Sequence, residues 1–340
     1  MQGVTLRGLI DHQGVFEVKM ILKSSSALAC VAALLGLTAL TDAQAQTVTQ
    51  SGYTGIFQGI SEETATITGS SVGGGTAYAY VMKIDLDAPG VSFTTSPGAA
   101  GDTPNSGTGN EVITQTTSQF MSATGVQVAM NAGYFSCPCV TNASNAEFID
   151  GLAVSNGNLV SSDQSNYIDL LLTAKNQASF AAGGSANLSG IYNAVAGSGY
   201  AVQNGVNVGT KINSSSTSED PRAMIGLSQS GQYMYLVTVD SGASDGAGLN
   251  GMQLGALAVD LGLYNAINMD GGGSTSMVVQ GANGKPNVLE SPYTGAERYD
   301  GNSIGVYALP LAPVPLPPGL GLFASGLVGL VTVTRRKLFG

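Results

Sequence analysis

A β-rich α+β fold is what this sequence predicts: a single domain over residues 46–309, mixed α/β in layout, with a few helices packed on mixed sheets. Three observations point there. Short runs rich in β-branched and aromatic residues recur along the chain, bounded by Gly, Pro, Asn or Ser. Only two stretches carry apolar residues at helical spacing. No repeat of 20–50 residues is visible, which argues against a propeller or a solenoid.

In chain order the strand-like runs are 77–86 (AYAYVMKIDL), 125–130, 223–227, 233–240, 266–269, 275–280 and 303–309. The first helix is expected at 111–122, where Val112, Thr116, Gln119 and Phe120 fall at helical spacings. The second is expected at 251–262, with Leu254, Leu257, Ala258 and Leu261 on one stripe. Asn250 suits its N-cap and Gly262 its stop. Each helix leads directly into a strand, and each of those strands ends in a polar, glycine-containing turn. Functional loops are therefore expected at strand ends. The low-complexity stretches 69–75, 97–109 and 213–220 read as loops inside one domain.

The two ends are set apart from the fold. Lys23, the apolar run 27–40 and Ala43-Gln44-Ala45 give a basic flank, a short apolar core and an A-x-A site, so residues 1–45 read as an N-terminal extension with a secretory signal peptide. Residues 310–340 open with a stiff spacer, Pro310, Pro313, Pro315, Pro317 and Pro318. The 19 residues 316–334 carry no charge, near the roughly 20 that span a bilayer. Arg335, Arg336 and Lys337 would hold that end on the cytoplasmic side, with the domain exported. The order V-P-L-P-P, apolar segment, basic cluster resembles the PEP-CTERM sorting signal. That resemblance implies a transient membrane anchor cut by an exosortase-type sorting protease; the alternative is a permanent single-pass anchor.

Between residues 46 and 310 lie 19 acidic and six basic side chains, a net charge of −13. Nucleic acid and anionic membrane surfaces are excluded as expected partners. The lone histidine, His12, precedes the domain. Ser-His-Asp and Cys-His catalysis and histidine-ligated zinc are thereby excluded from it. Proton transfer must fall to carboxylates, tyrosines, lysines or water. Cys137 and Cys139, in C-P-C, are the domain's only cysteines. In an oxidising compartment they read as a strained pair that staples a loop, with a redox role as the lesser reading.

Five segments carry groups suited to chemistry. In 268–276 an apolar strand delivers Asp270 into Gly271, Gly272 and Gly273, then Ser274, Thr275 and Ser276. Without Cβ atoms, backbone N–H groups there can approach an anion or sugar closely. The same glycines equally suit a tight strand–strand turn. The spacing is that of neither a Walker A loop nor a dinucleotide fingerprint. In 130–135 a strand ends in Asn131, whose amide suits a sugar hydroxyl, followed by Tyr134 and Phe135, which suit stacking or a core turn. In 220–226, Asp220 and Pro221 precede Arg222, which with Arg298 makes up the domain's arginines. An arginine there suits bidentate capture of phosphate or a local ion pair. Asp240 closes the fourth segment; the calcium-loop pattern fails after it, although Asp245 remains a possible cation ligand. Glu297-Arg298 precedes the closing strand.

The series N-A-G-Y-F (131–135), P-R-A-M-I-G (221–226), V-D-S-G (239–242), N-M-D-G-G-G-S-T (268–275) and E-R (297–298) resembles the phosphodiester glycosidase family, that of the lysosomal enzyme uncovering mannose 6-phosphate. Residues 192–197 and 202–205 resemble the family's segment before P-R, and the resemblance runs from about 78 to 307. Ser241-Gly242 stands where many members have Gly-Arg, so a cation often found there is missing. The resemblance implies an exported hydrolase that cuts the bond from an anomeric carbon to a phosphodiester oxygen, on a GlcNAc-1-phosphodiester or a related envelope glycan. A phosphate leaves readily, so positive charge and a carboxylate matter more than a strong acid. The implied roles are Arg222 and Arg298 on phosphate, Asp270 and Glu297 as base or stabiliser, and Asn131 on the sugar. Asp240 would position the sugar or bind a cation, and Gly271, Gly272, Gly273 and Ser274 would line an anion pocket. No cofactor is required, while a divalent cation is compatible. The alternatives are a non-catalytic exopolysaccharide-binding surface or matrix protein, and an exopolysaccharide lyase or hydrolase of other specificity.

Overall fold

The computed structural model describes residues 7–10, 16–19, 46–69, 75–101, 104, 111–136, 144–212, 217–240, 248–290 and 296–312. The apolar runs 27–40 and 316–334, the Cys137–Cys139 segment, Asp245 and much of the three low-complexity stretches lie outside them. The chain divides into two units, Met1–Ala45 and Gln46–Gly340. Of the first, the strands Arg7–Ile10 and Phe16–Lys19 are described, paired antiparallel. No helix among the described residues is long and apolar enough to cross a membrane.

Among the described residues, the second unit is built on three large antiparallel sheets and one two-stranded pair. The largest has nine strands, with Asn265–Asn268, Arg222–Leu227, Tyr233–Val239 and Thr76–Asp85 adjacent at its centre. A second, five-stranded, runs Pro286–Glu290, Met277–Gln280, Val128–Asn131, Ser303–Tyr307 and Ser92–Thr95. A third, also five-stranded, centres on Ile191–Gly197 between Ala153–Ser155 and Ile168–Thr173.

Side chains alternate across a strand, so one strand can feed two cores. In Arg222–Leu227, Ala223 and Ile225 join Met130 and Ile304 of the second sheet and Leu170 of the third. Met224 points the other way, to Leu254, Leu257 and Ala258. Those residues belong to helix α2, Gly251–Asp260, so the large sheet lies between a helix and the other sheets. Burying each of those leucines contributes roughly 1.5–3 kcal/mol. Helix α1, Thr117–Thr124, covers the outer face of the second sheet, where Phe120 and Met121 meet Ala129 and Val278.

Both helices begin with a reciprocal cap. Asn250 Oδ1 accepts from Gln253 N–H at 3.0 Å, and Gln253 Oε1 accepts from Asn250 N–H at 2.6 Å. Thr116 and Gln119 do the same at 3.1 and 3.0 Å. That second cap corrects the expected helix at 111–122. Val112–Ile113 instead pairs as a strand with Ala146–Glu147, and the helix starts only after Thr116. The mixed sheets expected from sequence are corrected too: every pairing among the described residues is antiparallel.

One buried carboxyl lies under the third sheet. Asp169 is fully buried, and neither oxygen meets a donor at hydrogen-bonding geometry. Burial, then neighbouring Asp163, pushes its pKa up to about 8. The folded state therefore keeps a proton that the unfolded chain loses near pH 4. Stability must fall as pH rises from there to about 8. Thermal melts of Asp169→Asn should lack most of this decline. Between pH 5 and 8 the wild type should lose several degrees more of Tm than the variant does, at about 2–4 °C per kcal/mol.

Candidate active site

The chain crosses from the large sheet to the second sheet between Asn268 and Met277, and the site is built on that crossing. Met269 N–H donates to Ala223 O at 2.8 Å, Asp270 N–H to Ala132 O at 2.9 Å, and Gly272 N–H to Pro221 O at 2.8 Å. The loop is thus tied to the starts and ends of strands in both sheets. Asn131, only 1% exposed, completes the tie. Its Nδ2 donates to Asp270 O at 2.7 Å and its Oδ1 accepts from Ser276 N–H at 3.0 Å. Its amide is spent on the loop's backbone, where the sequence had suggested a sugar hydroxyl.

Arg298 enters the same loop from the chain's last segment. Its Nη1 donates to Ser274 Oγ at 3.2 Å, and its Nε is buried without an acceptor. A Cβ on Gly273 would fall 2.0 Å from Nη2 and 2.5 Å from Cζ. Only glycine leaves the guanidinium this notch.

The Asp270 carboxyl faces Ser274 and Arg298. The residue keeps some solvent contact, yet burial still dominates and pushes its pKa up to about 6. The Ser274 hydroxyl, Arg298 and the Gly271 N–H pull it back, and the charge of Asp150 pushes it further. Two of the three glycine N–H groups expected to line an anion pocket are therefore engaged: Gly271 by the Asp270 carboxyl and Gly272 by Pro221.

Three residues that the sequence reading missed belong here. Asp300, 3% exposed, has neither oxygen at hydrogen-bonding geometry, although Ser274 lies near enough to stabilise its charge somewhat. Burial, then the charge of Asp270, raises its pKa well above its ordinary value, against the lowering influence of Ser274 and Arg298. Asp150 is half-buried, raised by burial and then by Glu111. The third is Tyr167, whose ring centroid lies 6.4 Å from that of Tyr134. Asp300 follows Glu297-Arg298 closely enough to have been noticed; Asp150 and Tyr167 sit in segments with no motif.

Other expected residues are placed differently. Arg222, 3% exposed, donates Nε to Leu249 O and Nη2 to Ser218 O, each at 2.7 Å, and Nη2 lies 3.5 Å from Asp220. Burial lowers its pKa, against the raising influence of Asp220 and Tyr134. Its backbone abuts the glycine loop, but its guanidinium braces the neighbouring turn. Glu297 Oε1 accepts from Ser118 N–H at 3.0 Å and Ser276 Oγ at 2.9 Å. It caps the first turn of α1 from outside, a favourable place for a carboxylate.

Asp240 accepts from Tyr78 N–H at 3.3 Å and faces a separate acidic group. There burial, then Asp240, pushes buried Glu290 up to about 8, and burial, then Glu290, Asp240 and Glu62, raises Tyr80. Among the described residues, no group of three or more His, Cys, Asp or Glu is placed to hold a metal ion.

Carboxyls and a guanidinium gathered at strand ends, with no histidine, are the equipment of a carboxylate-dependent hydrolase. The chain belongs to the phosphodiester glycosidase family, whose profile matches residues 124–307, and at family level that means hydrolysis of sugar phosphodiesters. The fold is similar to that of a hypothetical protein from Synechocystis, at 15% identity and TM-score 0.56 over 74% of this chain. This chain spans 62% of that protein's length. It is also similar to the catalytic domain of zebrafish N-acetylglucosamine-1-phosphodiester alpha-N-acetylglucosaminidase auto-inhibited by its pro-peptide, at 16% identity, TM-score 0.50, and coverage of 81% of this chain and 91% of that one. A Burkholderia pseudomallei protein described as a candidate for export aligns at 11% identity and TM-score 0.52 over 79% of this chain and 97% of that one. None of the curated proteins matches the chain.

If Asn131 is the tie between loop and sheet, Asn131→Ala should leave Asp270 O and Ser276 N–H unsatisfied. The expected loss is about 1–3 kcal/mol for each buried group, read as a lower denaturant midpoint at unchanged m.

Proposed function

We propose that this chain is an exported glycosidase that hydrolyses the bond between an anomeric carbon and a phosphodiester oxygen, on a GlcNAc-1-phosphodiester-like envelope glycan. The observation that carries the reading is the meeting of Asp270 and Arg298 at one hydroxyl, Ser274 Oγ, inside the family-matched segment. Export is supported by the signal-like run before Ala45 and the proline-spaced apolar tail with its basic end.

The roles follow from the surroundings. Above about pH 6 Asp270 is a carboxylate, able to take a proton from the water that attacks the anomeric carbon or to stabilise the positive charge developing there. Arg298 presents an unpaired buried Nε and holds the phosphate as it departs with the bonding electrons. Phosphate needs no proton to leave, so one ionised carboxyl suffices. Burial raises the pKa of Asp300 beside it, which favours the protonated form and lessens repulsion of the anion. Asn131, Glu297 and Arg222 hold the loop, α1 and the adjoining turn rather than the substrate.

The full chain should turn over a chromogenic GlcNAc-1-phosphodiester, with kcat/KM falling as pH drops below about 6 because the base becomes protonated. Asp270→Asn and Arg298→Ala should each lower kcat/KM by about 10²-fold or more with unchanged circular dichroism. Gly273→Ala, which displaces the guanidinium, should imitate the arginine variant. Saturable glycan binding without any turnover would favour the matrix-protein reading instead.

A further inference from the structure

Tyr134, Asp150 and Tyr167 form a wall beside Asp270 that the hydrolytic step leaves unused. The Tyr134 ring is held rigidly: its hydroxyl lies 2.9 Å from Met269 O and accepts from Asn268 Nδ2 at 2.8 Å. Asp150 N–H donates to Tyr134 O at 2.9 Å, so backbone pairing sets the two residues side by side. Gly151, at φ 93°, then turns the chain beneath Tyr167, and a Cβ there would fall 3.0 Å from Tyr167 Cγ. The backbone at Tyr167 is fixed in turn by Gly183 N–H, which donates to its carbonyl at 2.8 Å. The two rings tilt at 45° to each other, and all three residues keep partial solvent contact. The Asp150 carboxyl makes no hydrogen bond among the described residues, although its N–H is paired.

Aromatic faces with an acceptor close to both match a hydroxyl-rich sugar ring, which offers an apolar face for stacking and vicinal hydroxyls for a carboxyl. The opposite charge fixes direction. A phosphate would be repelled from Asp150 when it is ionised and drawn to Arg298. We propose that Asp150 and Tyr167, with the ring of Tyr134, form the sugar subsite of this chain, while Arg298 and Ser274 take the phosphate. The assignment rests on the phosphodiester glycosidase reading above and adds which end of the substrate goes where.

The test separates the two ends with two inhibitors, inorganic phosphate and a panel of free hexoses and N-acetylhexosamines, against turnover by the full chain. Asp150→Asn and Tyr167→Ala should raise KM and the inhibition constant of the preferred free sugar by about tenfold or more, the value of one charge-assisted hydrogen bond. Inhibition by phosphate should not weaken by more than about twofold, because removing a negative charge or an aromatic ring takes no donor from the anion at Arg298. Tyr167→Phe should keep wild-type sugar inhibition, because the ring face and not the hydroxyl is used. Arg298→Ala should show the reverse pattern. Equal weakening of sugar and phosphate in Asp150→Asn would overturn the subsite, as would inhibition by none of the sugars. Should Tyr167→Ala fail to fold, Asp150→Asn decides alone. A wild type that binds a free sugar, weakened by Asp150→Asn, but turns over no phosphodiester would sink the hydrolytic reading and leave the subsite standing.

Discussion

Everything at the site depends on the way one chain passes between two sheets. The strand ending at Asn268 belongs to the large sheet and the strand opening at Met277 to the second, so the backbone between them cannot satisfy its polar groups in either ladder. Buried backbone groups must be paired, and here the partners come from outside. Pro221, Ala132 and Ala223 supply carbonyls, and the Asn131 amide supplies a donor and an acceptor together. The position of the Asp270 carboxyl is therefore set by two segments far from it in sequence, 131–132 and 221–223.

The same crossing governs the electrostatics. The domain is strongly acidic, and the loop draws Asp150, Asp270 and Asp300 into mutual influence with one guanidinium at hand. Three full negative charges would be costly there and hostile to an anionic substrate. Burial resolves this unequally. Burial raises both Asp300 and Asp270; Ser274 and Arg298 pull each of them back, and Asp270 has in addition the Gly271 N–H that favours ionisation. Neighbouring carboxyls whose proton affinities are driven apart can take different roles at one pH. Ser274 takes part in both environments, and a hydroxyl has one proton to donate. Whichever carboxyl it serves is favoured as the anion, and the arginine on its oxygen strengthens that donation.

Much of this was legible in the sequence where local chemistry decides. The β-branched runs marked the central strands, and Asn250 marked the start of α2 because a cap acts within one turn. Asp270 and its glycines, and Arg298 by its rarity, were singled out, and the structure joins them. What stayed hidden depends on tertiary pairing. Nothing local distinguishes Asp150 from other loop aspartates until the Tyr134 carbonyl binds its N–H. Arg222 and Glu297 carried the right charge, but their partners are a backbone turn and a helix end in other segments. The start of α1 was misplaced because pairing with Ala146–Glu147 overrides the helical spacing at Val112.

The acidic group around Glu290 also sits at strand ends, but its electrostatics differ from those at Asp270. Asp240 directly follows a strand of the large sheet and Glu290 ends one of the second sheet, and the charge of Asp240 acts on Glu290. Tyr80 and Glu62 add further acidity there. With the first neighbour that gains a charge repelling the next, Glu290 stays protonated to about pH 8. At Asp270 the charge of Arg298 is at hand, and under the proposed function that cation gives the site its polarity for an anionic substrate.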